Sequence, residues 1–411
     1  MKTLVIGTGG REHALARALA RDPGVSQVHA APGNPGIAEV ATLHDVDPLD
    51  GEAVAALALA LGVDLVVVGP EAPLVAGVAD AVTARGIAVF GPSGSAARLE
   101  GSKAFAKDVM AAAGVPTAAA RVCTTLEEAA AALDEFGPTY VVKDDGLAAG
   151  KGVVVTDDRQ EALDHAAACD RVVIEEFLEG PEVSLFAITD GHTVYPLLPA
   201  QDFKRIGDGD AGPNTGGMGA YTPLPWAPDG LVEEVLRDVL QPTVEEMARR
   251  GAPFSGLLYA GLALTPRGVR VVEFNARFGD PETQPLLALL DSPLMPLLLG
   301  AATGTLADVE PPRWKPGAAV SVVMASKGYP ATSSKDDVIE GVPDAESLDG
   351  VHVIQAGTAR AGDVLLTAGG RVLAVVATGP SVDAARSAAY EGVAAISFPD
   401  AQYRSDIAAG V

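Results

Sequence analysis

The sequence predicts an α/β fold with an N-terminal open parallel sheet, a larger middle domain and a small β-rich C-terminal domain. Three observations support this prediction. Short apolar strands alternate with helices over the first hundred residues, which is typical of a parallel sheet covered by helices. After Gly101 the strands are joined by glycine-rich loops instead, and prolines at 311, 312 and 316 precede a final set of strands. We therefore expect domains at residues 1–101, 102–310 and 311–411.

The composition limits the classes of partner. The 411 residues include 54 acidic and 29 basic side chains, for a formal net charge of -25. This balance argues against a nucleic-acid backbone or an anionic membrane as the main partner, although an anionic small molecule needs only a few local cations. The two cysteines and six histidines lack metal-site spacing. Because we find no targeting segment and no apolar run of membrane-spanning length, we expect a cytoplasmic protein.

The first domain should have strands at 3–6, 25–30, 65–68 and 88–90, with helices at 11–21, 53–61 and 74–85. Ligands of such sheets bind at the carboxyl ends of the strands. The first of these ends is a glycine turn followed by Arg11, but the third glycine of a dinucleotide motif is replaced by Glu12. The turn therefore suits a phosphate monoester at a helix N-terminus, or it is a tight turn without a ligand. Glu71, at another strand end, could bind sugar hydroxyls or an amine, or could be a solvated acid.

The middle domain begins with a helix that Ser102 can cap. A strand at 139–143 then ends in Lys143 and is followed by a loop of small residues and a second strand at 153–155. Small residues let backbone N–H groups approach an anion closely, and Lys143 and Lys151 would add positive charge for a triphosphate. No helix follows the loop, which excludes a Walker motif. A plain glycine hairpin with surface lysines is the alternative.

A strand at 172–178 and the acids that follow it suggest a nucleoside site. The strand backbone could bind an adenine edge, and a carboxylate just beyond could hold ribose hydroxyls. Further strands are predicted at 183–188 and 193–199, followed by Asp202, Phe203 and Lys204. We expect residues 208–221 to form a long glycine-rich loop, and such loops within compact domains are usually functional.

The segment 271–284 organises the chain. It begins as a short strand on which Glu273 and Asn275 share one face. One charged and one neutral oxygen donor suit a hard cation such as Mg²⁺ beside phosphates. An arginine, a glycine turn and two acids around Pro281 follow. The alternative for this segment is an edge strand with a solvated acidic turn.

The tail should contain strands at 318–325, 350–356 and 371–379 and a helix at 381–396. We interpret it as a scaffold that closes the site.

Several of these stretches together resemble one known family. They are residues 11–14, 31–36, 69–74, 146–153, 212–221 and 277–282, and the resemblance runs from Lys2 to Ile407. They look like the phosphoribosylamine–glycine ligases, ATP-grasp enzymes of purine synthesis. The stretch Arg-Phe-Gly-Asp-Pro-Glu is the most specific, because the wider ATP-grasp group shares only Glu-x-Asn.

The resemblance implies an ATP-grasp core of two subdomains, with a lid at about 117–186, and a reaction of ATP, glycine and 5-phosphoribosylamine. It assigns Mg²⁺ or Mn²⁺ to Glu273 and Asn275, and catalysis to Arg277, Lys143 and Asp202. The residues implied for ATP are Lys103, Lys143, Gly146, Gly150, Lys151, Gly152, Glu175, Phe177, Leu178 and Glu182. The residues implied for the substrates are Gly9, Gly10, Arg11, Glu12, Asn34, Glu71, Lys204, Asn214, Arg277, Asp280, Pro281 and Glu282.

The sequence departs from the family pattern at three places. Asp144 replaces an alanine beside the phosphate loop, Phe203 replaces a histidine, and residues 256–264 lack the additional metal-binding acid of many ATP-grasp enzymes. Two other functions therefore stay open: a carboxylate-activating ligase with a different acceptor, and a nucleotide-binding regulator without turnover. A monomer is expected, with a dimer as the alternative.

Overall fold

The N-terminal part of the computed structural model, which describes residues 1–147 and 152–411, is a parallel sheet with the strand order β3-β2-β1-β4-β5. Apolar, fully buried side chains such as Leu4, Ile6 and Val66 form its core. The strands are β1 Lys2–Gly7, β2 Gln27–Pro32, β3 Thr42–Leu43, β4 Leu65–Val68 and β5 Ala88–Phe90. The helices are α1 Gly10–Arg21, α2 Gly51–Leu61, α3 Glu71–Val75, α4 Val78–Thr83 and α5 Gly94–Gly101.

The helix predicted at 74–85 is wrong in its extent. The chain instead forms α3 and α4, which are separated at Gly77. Gly77 adopts the left-handed conformation, with φ of +84°, which interrupts the helical backbone. The apolar spacing continues across this break, so periodicity alone does not detect it.

The middle part begins with α6 and continues into an antiparallel sheet of order β6-β9-β7-β8, with two helices packed on it. Its elements are α6 Lys103–Ala113, β6 Ala120–Cys123, α7 Leu126–Phe136, β7 Tyr140–Asp144, β8 Val153–Thr156, α8 Arg159–Ala167 and β9 Val172–Glu175. The strand predicted to reach residue 178 thus ends at Glu175. The predicted phosphate loop joins β7 to β8, and its residues 148–151 lie outside the described part of the chain.

A second antiparallel sheet, of order β11-β10-β16-β17, carries Glu273 and Asn275, the two proposed metal ligands, which we call the metal pair. Two small strands, Ala211–Asn214 and Gly219–Thr222, occupy much of the segment that we expected to be one long loop at 208–221, which corrects that expectation. The elements are β10 Glu182–Asp190, β11 Val194–Pro196, β12 Gln201–Asp202, β13 Arg205–Gly207, β14 Ala211–Asn214, β15 Gly219–Thr222, α9 Leu231–Val235, α10 Gln241–Arg249, β16 Ser255–Thr265, β17 Gly268–Asn275, α11 Thr283–Leu289 and α12 Leu294–Thr303.

The tail shares a sheet with the middle part, in the order β12-β15-β18-β23-β20. β15 is buried along its length and pairs with β18, which explains why the end of the glycine-rich segment becomes a strand. The tail elements are β18 Ala318–Ala325, β19 Val338–Ile339, α13 Val342–Glu346, β20 Val351–Gln355, β21 Thr358–Ala361, β22 Val364–Thr367, β23 Arg371–Gly379 and α14 Val382–Ala395. Among the described residues, none of the helices combines the length and hydrophobicity that a membrane crossing requires.

Candidate active site

The proposed metal pair lies at the end of β17, with Asn275 opposite Tyr259 of β16 and Glu273 opposite Gly261. The register then passes over Val272, which makes a β-bulge. The Val272 carbonyl accepts a hydrogen bond from Lys143 Nζ at 2.8 Å. The bulge therefore links the strand of the metal pair to the lysine at the end of β7.

The charges around Glu273 favour its ionised form. Burial raises the pKa of Glu273, but Lys143, Lys204 and Lys103 outweigh it and bring the pKa below its ordinary value. A carboxylate and an amide oxygen on one face fit Mg²⁺ or Mn²⁺ chemically. Within residues 1–147 and 152–411, no group of three or more His, Cys, Asp and Glu side chains could hold a metal ion. Two such ligands would leave the other coordination positions to phosphate oxygens and water.

A buried cluster of two lysines and one glutamate lies behind the phosphate loop. Glu175 accepts from Lys143 Nζ through Oε2 and from Lys107 Nζ through Oε1, both at 2.9 Å. Lys107 also donates to Thr117 Oγ1 at 2.8 Å and to the Ala118 carbonyl at 2.9 Å. Both oxygens of Glu175, which we expected at the nucleoside, are therefore occupied by lysines. We did not predict a role for Lys107, although it lies one helical turn from Lys103.

The start of α6 is fixed to the phosphate loop. Lys103 Nζ donates to the Gly146 carbonyl at 2.9 Å, and the Asp145 carboxylate accepts from Ala104 N at 3.0 Å. The Gly152 carbonyl accepts from Asp144 N at 2.7 Å, which closes the β7–β8 hairpin. The predicted residues Gly150 and Lys151 lie outside the described part of the chain.

Asp144, which differs from the family pattern, lies beside Cys169. Burial raises the pKa of the Cys169 thiol, and the neighbouring Asp144 raises it further. The Asp144 side chain is only half-buried, and together with Cys169 it lines an open cavity. Its extra charge is thus partly in contact with solvent.

Glu182, which we expected at the nucleoside, forms an ion pair with the predicted substrate residue Lys204. Phe177 is 47% exposed and Leu178 is half-buried just after β9. Burial raises the pKa of Asp202 to about 7, with a contribution from Glu282 and against the opposing charge of Lys204. These surroundings therefore favour the protonated form of Asp202 more than water does.

The Arg277 guanidinium lies between carboxylates. Its Nε is 3.2 Å from Glu71 Oε2, and its Nη2 is 3.3 Å from Glu100 Oε1 and 3.4 Å from Asn275 Oδ1. Burial lowers the pKa of Arg277, but Glu100 and Glu71 raise it above its ordinary value. No local sequence pattern indicates Glu100, because it meets Arg277 only in the folded chain.

The turn after Arg277 is tied to distant elements. Asp280 Oδ1 accepts from Gln284 Nε2 at 2.8 Å, and Arg371 Nη2 is 3.3 Å from Asp280 Oδ2. Glu282 is buried, and its Oε1 accepts from Tyr259 Oη at 2.8 Å. Pro281 packs against the Gly217 backbone.

Two residues of the tail form hydrogen bonds with the glycine-rich segment. Arg371 Nη1 donates to the carbonyls of Gly216 at 2.6 Å and Asp280 at 2.7 Å. Tyr329 Oη accepts from Gly216 N at 2.9 Å. The predicted residue Asn214 lies half-buried at the end of β14. We did not predict a role for Arg371 or Tyr329 from the sequence, because their hydrogen-bond partners are distant along the chain.

The N-terminal glycine turn reaches the same region. Arg11 is buried and donates from Nη1 to the Phe278 carbonyl at 3.0 Å, while its Nε donates to Glu12 Oε1 at 2.6 Å. Glu12 Oε2 accepts from Gly9 N at 2.6 Å. Gln284 packs closely on Gly10, because a Cβ atom there would lie 2.9 Å from Gln284 Nε2. The turn, the Arg277 cluster and the metal pair therefore lie along one continuous region.

Asn34 is held by the backbone. Its Nδ2 donates to the carbonyls of Thr8 at 2.8 Å and Gln355 at 2.9 Å, and its Oδ1 accepts from Ile37 N at 2.9 Å. This bonding indicates that Asn34 shapes the turn, and a direct substrate contact would have to compete with it.

Phe203, the second residue that differs from the family pattern, packs against an arginine of the tail. The Arg404 guanidinium lies over its ring, 4.9 Å from the centroid, and Tyr221 lies 6.2 Å away. Phe203 therefore packs against the tail rather than providing a titrating group.

Comparison with known proteins agrees with this geometry. Residues 1–100, 101–283 and 319–410 match the profiles of the N, ATP-grasp (A) and C domains of phosphoribosylglycinamide synthetase. The phosphoribosylamine–glycine ligase of Streptomyces coelicolor is 67% identical, covering 100% of this chain and 99% of the relative. That of Mycobacterium leprae is 55% identical, covering 99% and 97%.

Solved structures give the same result. The crystal structure of phosphoribosylamine–glycine ligase from Thermotoga maritima has a TM-score of 0.87 at 34% identity, covering 99% of this chain and 100% of that chain. The biotin carboxylase domain of the Hydrogenobacter thermophilus 2-oxoglutarate carboxylase, solved with MgADP, has a TM-score of 0.73 at 18% identity, covering 98% and 91%, and shows the fold alone. The predicted fold class is confirmed, while our exact domain boundaries stay a prediction.

Proposed function

The chain belongs to the phosphoribosylglycinamide synthetase family, and from that premise we propose that it joins glycine to 5-phosphoribosylamine with ATP, giving glycinamide ribonucleotide, ADP and phosphate. The observation that carries the proposal is the grouping of Glu273, Asn275, Lys143 and Arg277 at the end of β17. The reaction brings together two anions, ATP and a carboxylate. The positive charges of Lys143 and Arg277 would reduce the repulsion between them. The reaction is the glycine-adding step of purine synthesis.

The first step activates glycine. A carboxylate is a poor electrophile, so one carboxylate oxygen forms a bond to the terminal phosphorus of ATP while the bond to ADP breaks. Such a transfer depends on positioning and charge neutralisation. Lys143 and Lys103 would neutralise phosphate oxygens, and Arg277 would hold the glycine carboxylate. Mg²⁺ or Mn²⁺ on Glu273 and Asn275 would add positive charge to the phosphates when bound.

The second step forms the amide. The phosphoribosylamine nitrogen bonds to the activated carbonyl carbon, the bond to phosphate breaks, and the nitrogen loses a proton. We assign this proton to Asp202, whose pKa near 7 suits a general base at neutral pH. Lys204 would favour the ionised form of Asp202 before the proton is transferred. The Gly9–Gly10 turn at the start of α1 would bind the substrate phosphate, and Glu71 would bind its hydroxyls or amine.

The test is ADP release in a coupled assay with Mg²⁺ and ATP. Phosphoribosylamine is made in situ from ribose 5-phosphate and ammonia, and glycine is added or withheld. We expect ADP release only when both substrates are present. Release without glycine would indicate a different acceptor or acid, and bound ATP without release would indicate a regulator.

The oligomeric state and location belong to this proposal as well. We propose a cytoplasmic monomer acting on small molecules, because ATP, glycine and phosphoribosylamine are small soluble metabolites. Size-exclusion chromatography with light scattering would reveal a dimer.

A further inference from the structure

The corner between α5 and α6 holds two charged residues three positions apart, Glu100 and Lys103. Ser102 lies between them, ends α5 and caps α6, accepting from Phe105 N at 3.2 Å. Lys103 is directed to the phosphate loop, whereas Glu100 is directed to the end of β17. The corner therefore contacts both ends of the proposed site.

Glu100 makes two contacts at once. Its Oε2 accepts from the Ala276 backbone N–H at 2.6 Å, and its Oε1 is 3.3 Å from Arg277 Nη2. The Glu100 side chain is only 8% exposed. A carboxylate that binds both a backbone amide and the next side chain restricts that side chain more than a single contact does.

Glu71 differs from Glu100 in this respect. Its side chain is 26% exposed, and it contacts Arg277 through a single atom pair at 3.2 Å. An incoming carboxylate could replace a partly exposed partner more easily than a buried one. The two acids therefore suit different roles. A substrate carboxylate could displace Glu71 from Arg277, while Glu100 would stay paired with Arg277.

We propose that Glu100 is a positioning residue for the ligation: it anchors the backbone of β17 at Ala276 and thereby holds the Arg277 guanidinium in place for the substrate carboxylate or transferred phosphoryl group. This inference rests on the proposed function. Glu100 itself touches no reacting atom. Its effect is on the rate of the chemical step, because a small misplacement of a reacting group can lower a rate by roughly 100-fold.

The experiment compares Glu100→Gln, Glu100→Asp and the wild type in the ADP-release assay, with a thermal melt of each protein. Gln can still accept from Ala276 N but has no negative charge for Arg277. We expect kcat to fall roughly 10- to 100-fold with Glu100→Gln, with the KM for ATP within about twofold, since Lys103 and Lys143 are unchanged. Glu100→Asp keeps the charge but is one methylene shorter and cannot keep both contacts, so its kcat should lie between that of Glu100→Gln and the wild-type value.

Glu246→Gln is the matched control. Glu246 is also a buried carboxylate with an arginine partner, Arg250 Nε at 2.6 Å, but it lies on α10, away from β17. This variant should lower the melting temperature without changing kcat per folded enzyme. A merely structural role for Glu100 would make its variants behave like this control, and that result would overturn the proposal.

Two further outcomes are decisive. Rates within about threefold of wild type for Glu100→Gln would refute the positioning role. If Glu100→Gln does not fold, a folded Glu100→Asp with wild-type kcat would refute it, and one with a kcat loss at unchanged KM for ATP would support it. The wild-type assay alone tests the proposed function, so the two failures are distinguishable.

Discussion

The buried cluster around Glu175 gives the sharpest prediction, for the change Glu175→Gln. Its carboxylate is 4% exposed and bonds Lys107 and Lys143, each at 2.9 Å. Gln can accept from only one of these lysines, and its amide N–H₂ group faces the other. Removing one partner from a buried ion pair costs about 3–5 kcal/mol. For a unit the size of the middle domain, this predicts a melting temperature lower by roughly 6–20 °C.

The assay is thermal unfolding with and without a non-hydrolysable ATP analogue and Mg²⁺. Phosphate oxygens near Lys143 would supply the missing negative charge, so the analogue should stabilise the variant more than the wild type. If Glu175 instead holds the nucleoside, as the family resemblance implies, the analogue should stabilise the variant less. This comparison decides between the two roles.

Glu135→Gln is the control for Glu175→Gln. Glu135 pairs with Arg121 in the same part of the chain, but both side chains are exposed, at 44% and 58%. Such surface pairs contribute about 0–1 kcal/mol, so the control should melt close to the wild type. An equal shift in both variants, or a shift below about 1 °C in Glu175→Gln, would refute the argument from burial.

Three further predictions concern the site itself. Glu273→Gln should abolish turnover and weaken Mn²⁺ binding in the presence of ADP, measured by electron paramagnetic resonance, while the melt stays cooperative; near-normal activity would contradict the metal assignment. Burial raises the pKa of Asp202 to about 7, so its folded-state stabilisation is present at pH 4 and is lost as the pH rises through 7; Asp202→Asn should therefore gain stability relative to wild type over that range, and a pH-independent difference in melting temperature would contradict this. Gly217→Ala should lower kcat/KM for phosphoribosylamine by at least about tenfold, because Gly217 has φ of +106° and a Cβ atom there would overlap Pro281; unchanged kinetics would show that the segment tolerates displacement.

Local spacing was enough to predict part of this site. Glu273 and Asn275 share a face because side chains alternate along a strand, and Lys143 lies one residue before the end of the strand that precedes the phosphate loop. These are relations between near neighbours, and they can be read directly from the sequence. The resemblance added the substrate assignments, which stay predictions residue by residue.

The missed residues depend on contacts between distant parts of the chain. Glu100 meets the backbone of Ala276, and Arg371 reaches Gly216 from β23. No spacing rule connects such residues, because their proximity depends on how the sheets are arranged. The pKa of Asp202 is a similar case, since it arises from burial and from several charges brought together by the fold.

The pairing of β15 with β18 also affects the order in which the chain can fold during its synthesis. β15 ends at Thr222, and its partner begins at Ala318, about 100 residues later. A ribosome adds roughly 5–20 residues per second, so the edge of β15 waits about 5–20 s for its partner strand. Throughout that interval an apolar strand edge beside the glycine-rich segment is exposed to other nascent chains. Slow translation of residues 223–317, or a shortage of chaperones, should therefore reduce the yield of folded enzyme more than its final stability would suggest.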